Sequence, residues 1–237
     1  MVVLLAAIST PLFSQTVSDN NAHAWYMYFG DHPISGRWGV HLEGQARRAS
    51  YSTSWQQFLL RPAVNYKFSP NIMGTVGYAF AYSYPYGQHP SAERNFAENR
   101  YFEQLLVRNQ IGKVAFQHRL RLEQRMVQVP APQNPLEDQW EFRQRLRYML
   151  RGDIPLPNRR LYLGLYDEFF INFGGNRGPR YLDQNRAYGA LGLKLSPFEK
   201  FEIGYMHQYV PQRNGLVMEN NHTIQVALFS SRPFHRE

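Results

Sequence analysis

The sequence predicts an all-β protein: a transmembrane, antiparallel, up-and-down β-barrel of ten to twelve strands, with twelve favoured. Apolar and polar residues alternate with period 2 along nearly the whole chain after residue 22. Phe, Tyr and Trp make up 15% of the 237 residues, and a barrel places such rings in two girdles at the membrane surfaces. Short turns also alternate with longer polar links, as in barrels with short periplasmic turns and long external loops.

The N-terminal segment predicts export. Residues 1–13 read MVVLLAAISTPLF, and the polar run SQTVSDNN follows. This resembles the apolar region and the end of a secretory signal, although the usual basic start is missing. We therefore predict a signal peptide over 1–15, cleaved near Ser14 or Gln15, and a single outer-membrane β-barrel domain over 16–237. The alternative is a buried N-terminal strand.

The clearest strands lie in the middle of the chain. From Phe116 to Met126, one face carries apolar residues with His118 and Gln124, and the other carries Gln, Arg and Glu. Residues 140–151 repeat this pattern. On a helix these charges would scatter around the axis at about 100° per residue, so only a strand gives each segment two coherent faces.

Eleven segments qualify as strands. They are 23–29, 37–48, 54–68, 72–83, 98–112, 113–128, 138–152, 159–173, 184–196, 199–209 and 220–230. Many exceed the usual globular strand of about 5–6 residues and reach the ~9–11 residues that cross an outer membrane. Because bacterial single-chain barrels have an even number of strands, we expect ten or twelve, and 23–29 is the weakest candidate.

Bulk composition narrows the possible classes. Mean hydropathy is −0.50, which is uninformative for a barrel because its two faces cancel in a window average. The chain has no cysteine, which excludes disulfides and cysteine nucleophiles. The net charge of +8 comes mainly from arginines that alternate with apolar residues inside predicted strands. Arginine is favoured where a cation is buried and paired, so we expect no nucleic-acid partner.

Several segments together resemble the family of outer-membrane β-barrels known as domain of unknown function 2490. They are Trp38-Gly39, WQQFLLRPAVNYKFSPN at 55–71, Gly77-Tyr78, RYFEQLLVRNQIG at 100–112, HRLRLEQR at 118–125, RQRLRYMLR at 143–151, LYDEFFIN at 165–172 and DQNRAYGALGLKLS at 183–196. The resemblance covers about 23–230. It implies a small outer-membrane barrel, and it transfers no catalytic residue and no ligand. The chain departs from barrels that end on an aromatic residue, because it continues from Ser230 to Glu237 beyond Phe229.

A ladder of charged residues is the strongest polar feature. If the apolar faces meet lipid, the ladder lines the lumen; its residues are Glu43, Arg61, Arg119, Arg121, Glu123, Arg125, Glu141, Arg143, Arg145, Arg147 and Glu168. Strands 113–128 and 138–152 should pair as a hairpin and form a cationic stripe. We expect Glu43, Glu168 and Glu202 to balance it from across the lumen. The ladder then acts as a salt-bridged plug, or alternatively as the lining of a narrow channel that attracts small anions.

The remaining motifs give weaker signals. His118 and His207 lie on apolar faces without the spacing of metal ligands, so we expect interfacial histidines and no metal or other cofactor. The loop at 82–94 (YSYPYGQHPSAER) is expected to be an exposed aromatic loop, or else a glycan- or partner-binding loop. The segment 174–178 (GGNRG) lacks the features of a phosphate-binding loop and should be a flexible external loop.

These patterns favour a non-enzymatic, integral outer-membrane barrel of a Gram-negative bacterium, either structural or a narrow, porin-like channel. Its expected partners are outer-membrane lipids, the barrel-assembly machinery and small anions. One alternative is an outer-membrane lipid hydrolase that uses a Ser–His pair, with Ser54, Ser83 and Ser230 near strand ends, although no G-x-S-x-G motif occurs. The other is a soluble, lipocalin-like barrel that binds an apolar ligand, which requires apolar residues inside.

Overall fold

The structure is a computed structural model that describes residues 16–131, 134–158 and 160–234. The predicted signal peptide, 1–15, lies outside the described residues. The strands are β1 Val17–Ser35, β2 Trp38–Ala49, β3 Ser54–Ser69, β4 Ile72–Ser83, β5 Phe96–Ile111, β6 Val114–Val129, β7 Gln139–Pro155, β8 Leu161–Phe173, β9 Leu182–Lys194, β10 Glu199–Pro211 and β11 Val217–Ser230. Two 3₁₀ turns, Ser50–Ser52 and Pro135–Glu137, are the only helical elements in these ranges, and neither is long enough to cross a membrane.

The strands form one closed barrel in which each strand pairs with its neighbours in the chain. The described part of the chain holds eleven strands, so the favoured count of twelve is not found. The segment 23–29, which was the weakest candidate, is the centre of the 19-residue strand β1. The alternation there is weak because Trp25, Met27 and Phe29, which face the interior, are as apolar as the outward side chains.

The barrel is not antiparallel throughout. Strands that alternate in direction can close with antiparallel neighbours only if their number is even. With eleven, the first and last strands run the same way, and β1 pairs with β11 in parallel from Val17 opposite Val217 to Gly30 opposite Ser230. All other neighbouring pairs are antiparallel.

The two edges of the barrel differ. One edge, which we call the turn edge, carries short connections; Gly36 and Gly112 each begin a two-residue turn with positive φ (54° and 59°), a conformation that glycine adopts without strain. The opposite edge, which we call the loop edge, carries the longer connections 84–95, 130–138, 174–181 and 212–216, and the short 50–53. This is the alternation of connection lengths that the sequence predicts.

The two faces of each strand have opposite character. Leu60, Val76 and Leu120 point outward and are 50%, 64% and 44% exposed, whereas their neighbours Arg61, Thr75 and Arg121 point inward and are at most 3% exposed. Aromatic side chains cluster on the outside near both edges. Trp38, Tyr66 and Phe68 form one cluster near the turn edge, and Trp55, Tyr84 and Tyr82 form another near the loop edge. The outer wall is therefore apolar, and the interior is polar and charged.

Candidate functional site: a charged lumen

The predicted ladder residues lie on inward faces of β2, β3, β6, β7 and β8. Nine of them line a central cavity of about 560 Å³. Of the other two, Glu123 is almost completely buried, and Glu141 lies near the loop edge, partly exposed. The structure thus brings all eleven positions to one interior.

The β6–β7 hairpin forms, with like charges facing each other across it. Arg121 lies opposite Arg147 and Arg125 lies opposite Arg143, while Glu123 lies opposite Arg145. Like charges directly opposite each other on two strands repel, so this arrangement needs nearby carboxylates.

Shared carboxylates supply that balance. Glu123 accepts hydrogen bonds from Arg145 at 2.6 Å and from Arg147 at 2.7 Å. Glu168 of β8 accepts from Arg147 at 2.8 Å and from Arg119 at 2.9 Å. One carboxylate between two guanidinium groups makes charge-assisted hydrogen bonds with both, which the planar geometry of arginine favours.

Further ion pairs complete the network around the wall. Glu43 binds Arg61, as the position of both in the predicted ladder suggests, and His41 lies 3.4 Å from the same carboxylate. Glu202 binds Arg151 and accepts from the Tyr162 hydroxyl at 2.6 Å. Of the three acids expected to balance the stripe, Glu168 binds two of its arginines, Arg119 and Arg147, whereas Glu43 and Glu202 pair with arginines outside it.

Two important acids are not in the predicted ladder. Glu98 binds both Arg100 and Arg125, and Asp183 binds Arg145 at 2.6 Å. Glu98 and Arg100 are two residues apart on one face of β5, a pattern that could have identified them. Asp183 lies at the register shift between β8 and β9 and is skipped in their pairing, so the simple alternation of the sequence does not assign its face.

Three aromatic rings lie inside the lumen, which the sequence pattern did not predict. Trp25, Phe102 and Phe170 are each 1% exposed. Guanidinium groups lie over all three: Arg121 is 4.7 Å from the centre of Phe102, and Arg147 is 4.3 Å from that of Phe170. Such cation–π contacts are strongest where water is excluded, so these rings help to hold the arginines inside.

Little of the network is accessible to bulk solvent, although its side chains surround the central cavity. Its central members are at most 6% exposed; they are Glu43, Arg61, Arg121, Glu123, Arg147 and Glu168. Their side chains narrow the lumen around this cavity and pair with residues of neighbouring strands.

The loop at 84–95 folds over the loop edge and does not extend freely into solvent. The Tyr86 hydroxyl donates to Glu219 at 2.6 Å, and the backbone N–H of His89 donates to Asp19 at 3.2 Å. Burial raises the pKa of Tyr86, and the negative charge of Glu219 raises it further. The expectation of an exposed aromatic loop is therefore wrong for Tyr86, which is half-buried in the mouth of the barrel.

The C-terminal end of the loop at 84–95 contacts the next connection on this edge, 130–138. Arg94 forms an ion pair with Asp138, and Asp138 accepts a hydrogen bond from the backbone of Ala131 at 3.0 Å. Desolvation raises the pKa of Asp138, but these hydrogen bonds and the charge of Arg94 outweigh it and leave that pKa below its usual value.

The turn edge is more open. A second cavity of about 480 Å³ lies there, and Arg108, Gln117, Arg151 and Lys200 line it. The segment after β11 packs along the outside of β1, where Phe234 stacks on His32 with ring centres 4.6 Å apart. The mouth at the turn edge is thus cationic and reaches toward the central cavity.

The other candidate groups do not assemble into a catalytic or metal centre within the described ranges. His118 points outward and hydrogen-bonds the Tyr148 hydroxyl at 2.9 Å, and His207 lies beside His222 on the outer wall. No cluster of three or more His, Asp or Glu residues there is arranged to hold a metal ion. No serine hydroxyl in the same ranges hydrogen-bonds a histidine, as a Ser–His hydrolase would require.

A model of the family described as "Protein of unknown function (DUF2490)" matches residues 22–219, which run from β1 into β11. The chain belongs to the DUF2490 family. This agrees with the resemblance seen in the sequence. It establishes the family, and the description of that family gives no function. Comparisons with curated proteins and with solved structures find no match. For this DUF2490 protein the function must therefore be argued from its barrel.

Proposed function

We propose that this DUF2490 protein is an integral outer-membrane barrel whose lumen is closed by its own salt bridges. The observation that carries the proposal is the polarity of the wall, with large apolar side chains exposed outside and charged ones buried inside. A lipid environment stabilises that arrangement. In water, the same wall would expose a large apolar surface to solvent, which is unfavourable. A lipocalin-like soluble barrel needs the reverse polarity.

The dimensions of the wall support the same proposal. The strands have 12 to 19 residues, more than the ~9–11 that a tilted strand needs to cross the membrane. The two aromatic clusters lie near opposite edges, where membrane barrels carry their girdles. In this proposal the partners of the chain are the surrounding lipids and the machinery that inserts barrels into the membrane.

The closed lumen follows from the central network. Arg61 and Arg147 reach into the middle, where Glu43 and Glu123 on neighbouring strands hold them. Arg121 donates to the side-chain oxygen of Gln104 at 2.6 Å. Removing one partner of such a buried pair leaves an uncompensated charge, so the network resists opening. We therefore propose a structural barrel in preference to a conducting pore.

Two measurements test this proposal. The protein should fractionate with outer membranes, require detergent for extraction and migrate differently in heated and unheated gels. In planar bilayers, the reconstituted barrel should show little conductance. Recovery in the soluble fraction would reject the membrane assignment, and a steady open-channel current would reject the closed lumen.

A narrow anion channel is the second candidate. The observation that favours it is the surplus of cations in the lumen, where twelve arginines and one lysine line the central cavity against seven carboxylates. If the lumen conducts, anions should pass more readily than cations, and replacing both Arg121 and Arg145 with Ser should weaken that preference. A cation-selective current would reject this candidate.

A further inference from the structure

Most lumen arginines have a carboxylate partner, and a few do not. Among the described residues, no carboxylate oxygen lies within 4.0 Å of the guanidinium groups of Arg47, Arg108 or Arg186. All three line the central cavity. Arg108 also lines the open mouth at the turn edge, where water can hydrate it. Arg186 is buried and Arg47 is half-buried, and neither lines this mouth.

These two arginines converge on one ring. The guanidinium carbon of Arg47 lies 3.9 Å from the centre of the Trp25 ring, and that of Arg186 lies 5.1 Å from it. Arg186 also lies 4.7 Å from the centre of Phe170. Two like charges held on one buried indole repel each other, and low local dielectric strengthens this repulsion.

The surroundings hold both side chains without neutralising them. Arg47 donates to Gln45 and to Gln57, each at 2.8 Å, and both acceptors are neutral amides. Arg186 is 8% exposed; its guanidinium donates no hydrogen bond to any described residue, and its Nε is fully buried without a partner.

The nearest internal acid is already occupied. Glu168 lies opposite Arg186 on the neighbouring strand, but its carboxylate accepts from Arg119 and Arg147. A buried guanidinium without an acceptor is costly, because its desolvation is not offset by hydrogen bonds. The side chains around Arg186 therefore leave its guanidinium without an acceptor from the described residues, at the edge of a cavity that can hold one.

We propose that Arg47 and Arg186, held on Trp25, bind a small oxyanion, a carboxylate or a phosphate, inside the lumen. Guanidinium groups recognise both anions with paired N–H donors. Arg186 supplies unused donors, and the Gln45 and Gln57 amides fix the orientation of Arg47. The mouth at the turn edge, where Arg108, Arg151 and Lys200 outnumber the single acid Asp153, provides an entry that attracts anions. This site goes beyond the proposed role of the barrel, and it stands whether or not the barrel spans a membrane.

The test uses the purified full-length chain in an uncharged detergent. Inorganic phosphate and acetate are titrated separately, with chloride keeping the ionic strength constant, and the midpoint of thermal unfolding is followed. A specific site should give a saturable rise in that midpoint for the wild type. Arg47→Gln and Arg186→Gln should each weaken the apparent affinity about tenfold or more, because each removes a charged hydrogen-bond partner.

Arg48→Gln is the matched control. Arg48 is the next residue on the same strand, but it points outward, where it stacks on Trp55 at 4.4 Å. The oxyanion-induced rise should be the same in Arg48→Gln as in the wild type. An equal rise in Arg186→Gln would show unspecific ion effects and overturn the proposal, as would the absence of a saturable rise in the wild type with phosphate, with acetate and with a short-chain phosphatidate.

Stability without oxyanion gives a second criterion. If the Arg186 charge has no partner in the empty barrel, Arg186→Gln should then unfold at the same temperature as the wild type or higher. A large drop in that midpoint would mean that Arg186 has a structural role, and would overturn the proposal. A parallel titration with a short-chain phosphatidate distinguishes the source: a response to free phosphate indicates a soluble ion, and a response to the lipid alone indicates a headgroup, both within the proposed chemistry.

Discussion

At the scale of single residues, the lumen depends on carboxylates that are each shared between arginines. Glu98, Glu123 and Glu168 each form ion pairs with two different arginines. The alternation of the sequence predicted Glu123 and Glu168 because both lie on regular strands. It could not predict which arginines they bind, since those contacts depend on side chains that reach across neighbouring strands.

Glu123→Gln should therefore destabilise the barrel strongly. The change leaves Arg145 and Arg147 short of one carboxylate in a buried position, and breaking such a pair costs about 3–5 kcal/mol. Glu141→Gln is the control, because Glu141 pairs with Arg143 at 2.7 Å while about a third of its side chain is exposed. An exposed pair contributes roughly 0–1 kcal/mol. Denaturant unfolding in micelles measures both changes, and similar losses for the two variants would contradict the buried network.

At the scale of strands and loops, regular alternation proved a good guide and loop composition a poor one. The long strands from β2 to β11 lie close to their predicted positions, because each keeps one apolar face and one polar face. The expectation of an exposed loop is wrong for Tyr86 because the docking of the loop at 84–95 depends on Asp19 and Glu219, which lie far from it in the sequence. Aromatic and proline residues alone do not show whether a loop extends outward or folds over a mouth.

The free-energy cost of an outward-facing charge should depend on how far it lies from the edges of the apolar wall. Leu120→Arg places a charge near the middle of the apolar wall and should cost about 2–4 kcal/mol, with poor assembly as the visible result. Asn109→Arg, on the outward face of β5 near the turn edge, should cost roughly 0–1 kcal/mol. Heat-modifiable gel mobility reports the folded fraction of each variant. Equal assembly of the two would mean that the wall near Leu120 does not face lipid.

Docking of the loop at 84–95 should depend on Tyr86 and Gly87. Tyr86→Phe removes the hydroxyl that donates to the buried Glu219, a loss of about 1.5–3 kcal/mol for a hydrogen bond to a charged group. Gly87 has φ of 76°, and a Cβ there would lie 2.6 Å from Asp19, so Gly87→Ala should also release the loop. Backbone hydrogen exchange at His89 should rise in both variants. Ser91→Ala is a control within the same loop, and His89 exchange that stays at the wild-type rate in Tyr86→Phe would argue against a docked loop.

At the scale of the whole molecule, an odd number of strands closes a barrel whose two faces have opposite polarity. The sequence predicted the polarity but not the closure, because the expected even count assumed antiparallel pairing throughout. The parallel β1–β11 pair extends over fourteen residue positions, so the closure is as continuous as the other pairings. The direction of the first strand is a property of the assembled sheet and is not encoded in any local pattern.

The central claim is that the apolar outer wall faces lipid, and quenching by brominated lipid tests it most directly. The chain has no cysteine, so a single Leu146→Cys gives one site for a bimane fluorophore on the outward face of β7. In vesicles with brominated acyl chains its fluorescence should be strongly quenched. The same label at Leu216→Cys, on the exposed loop 212–216, should stay bright. Equal fluorescence at the two sites would contradict a membrane-spanning barrel.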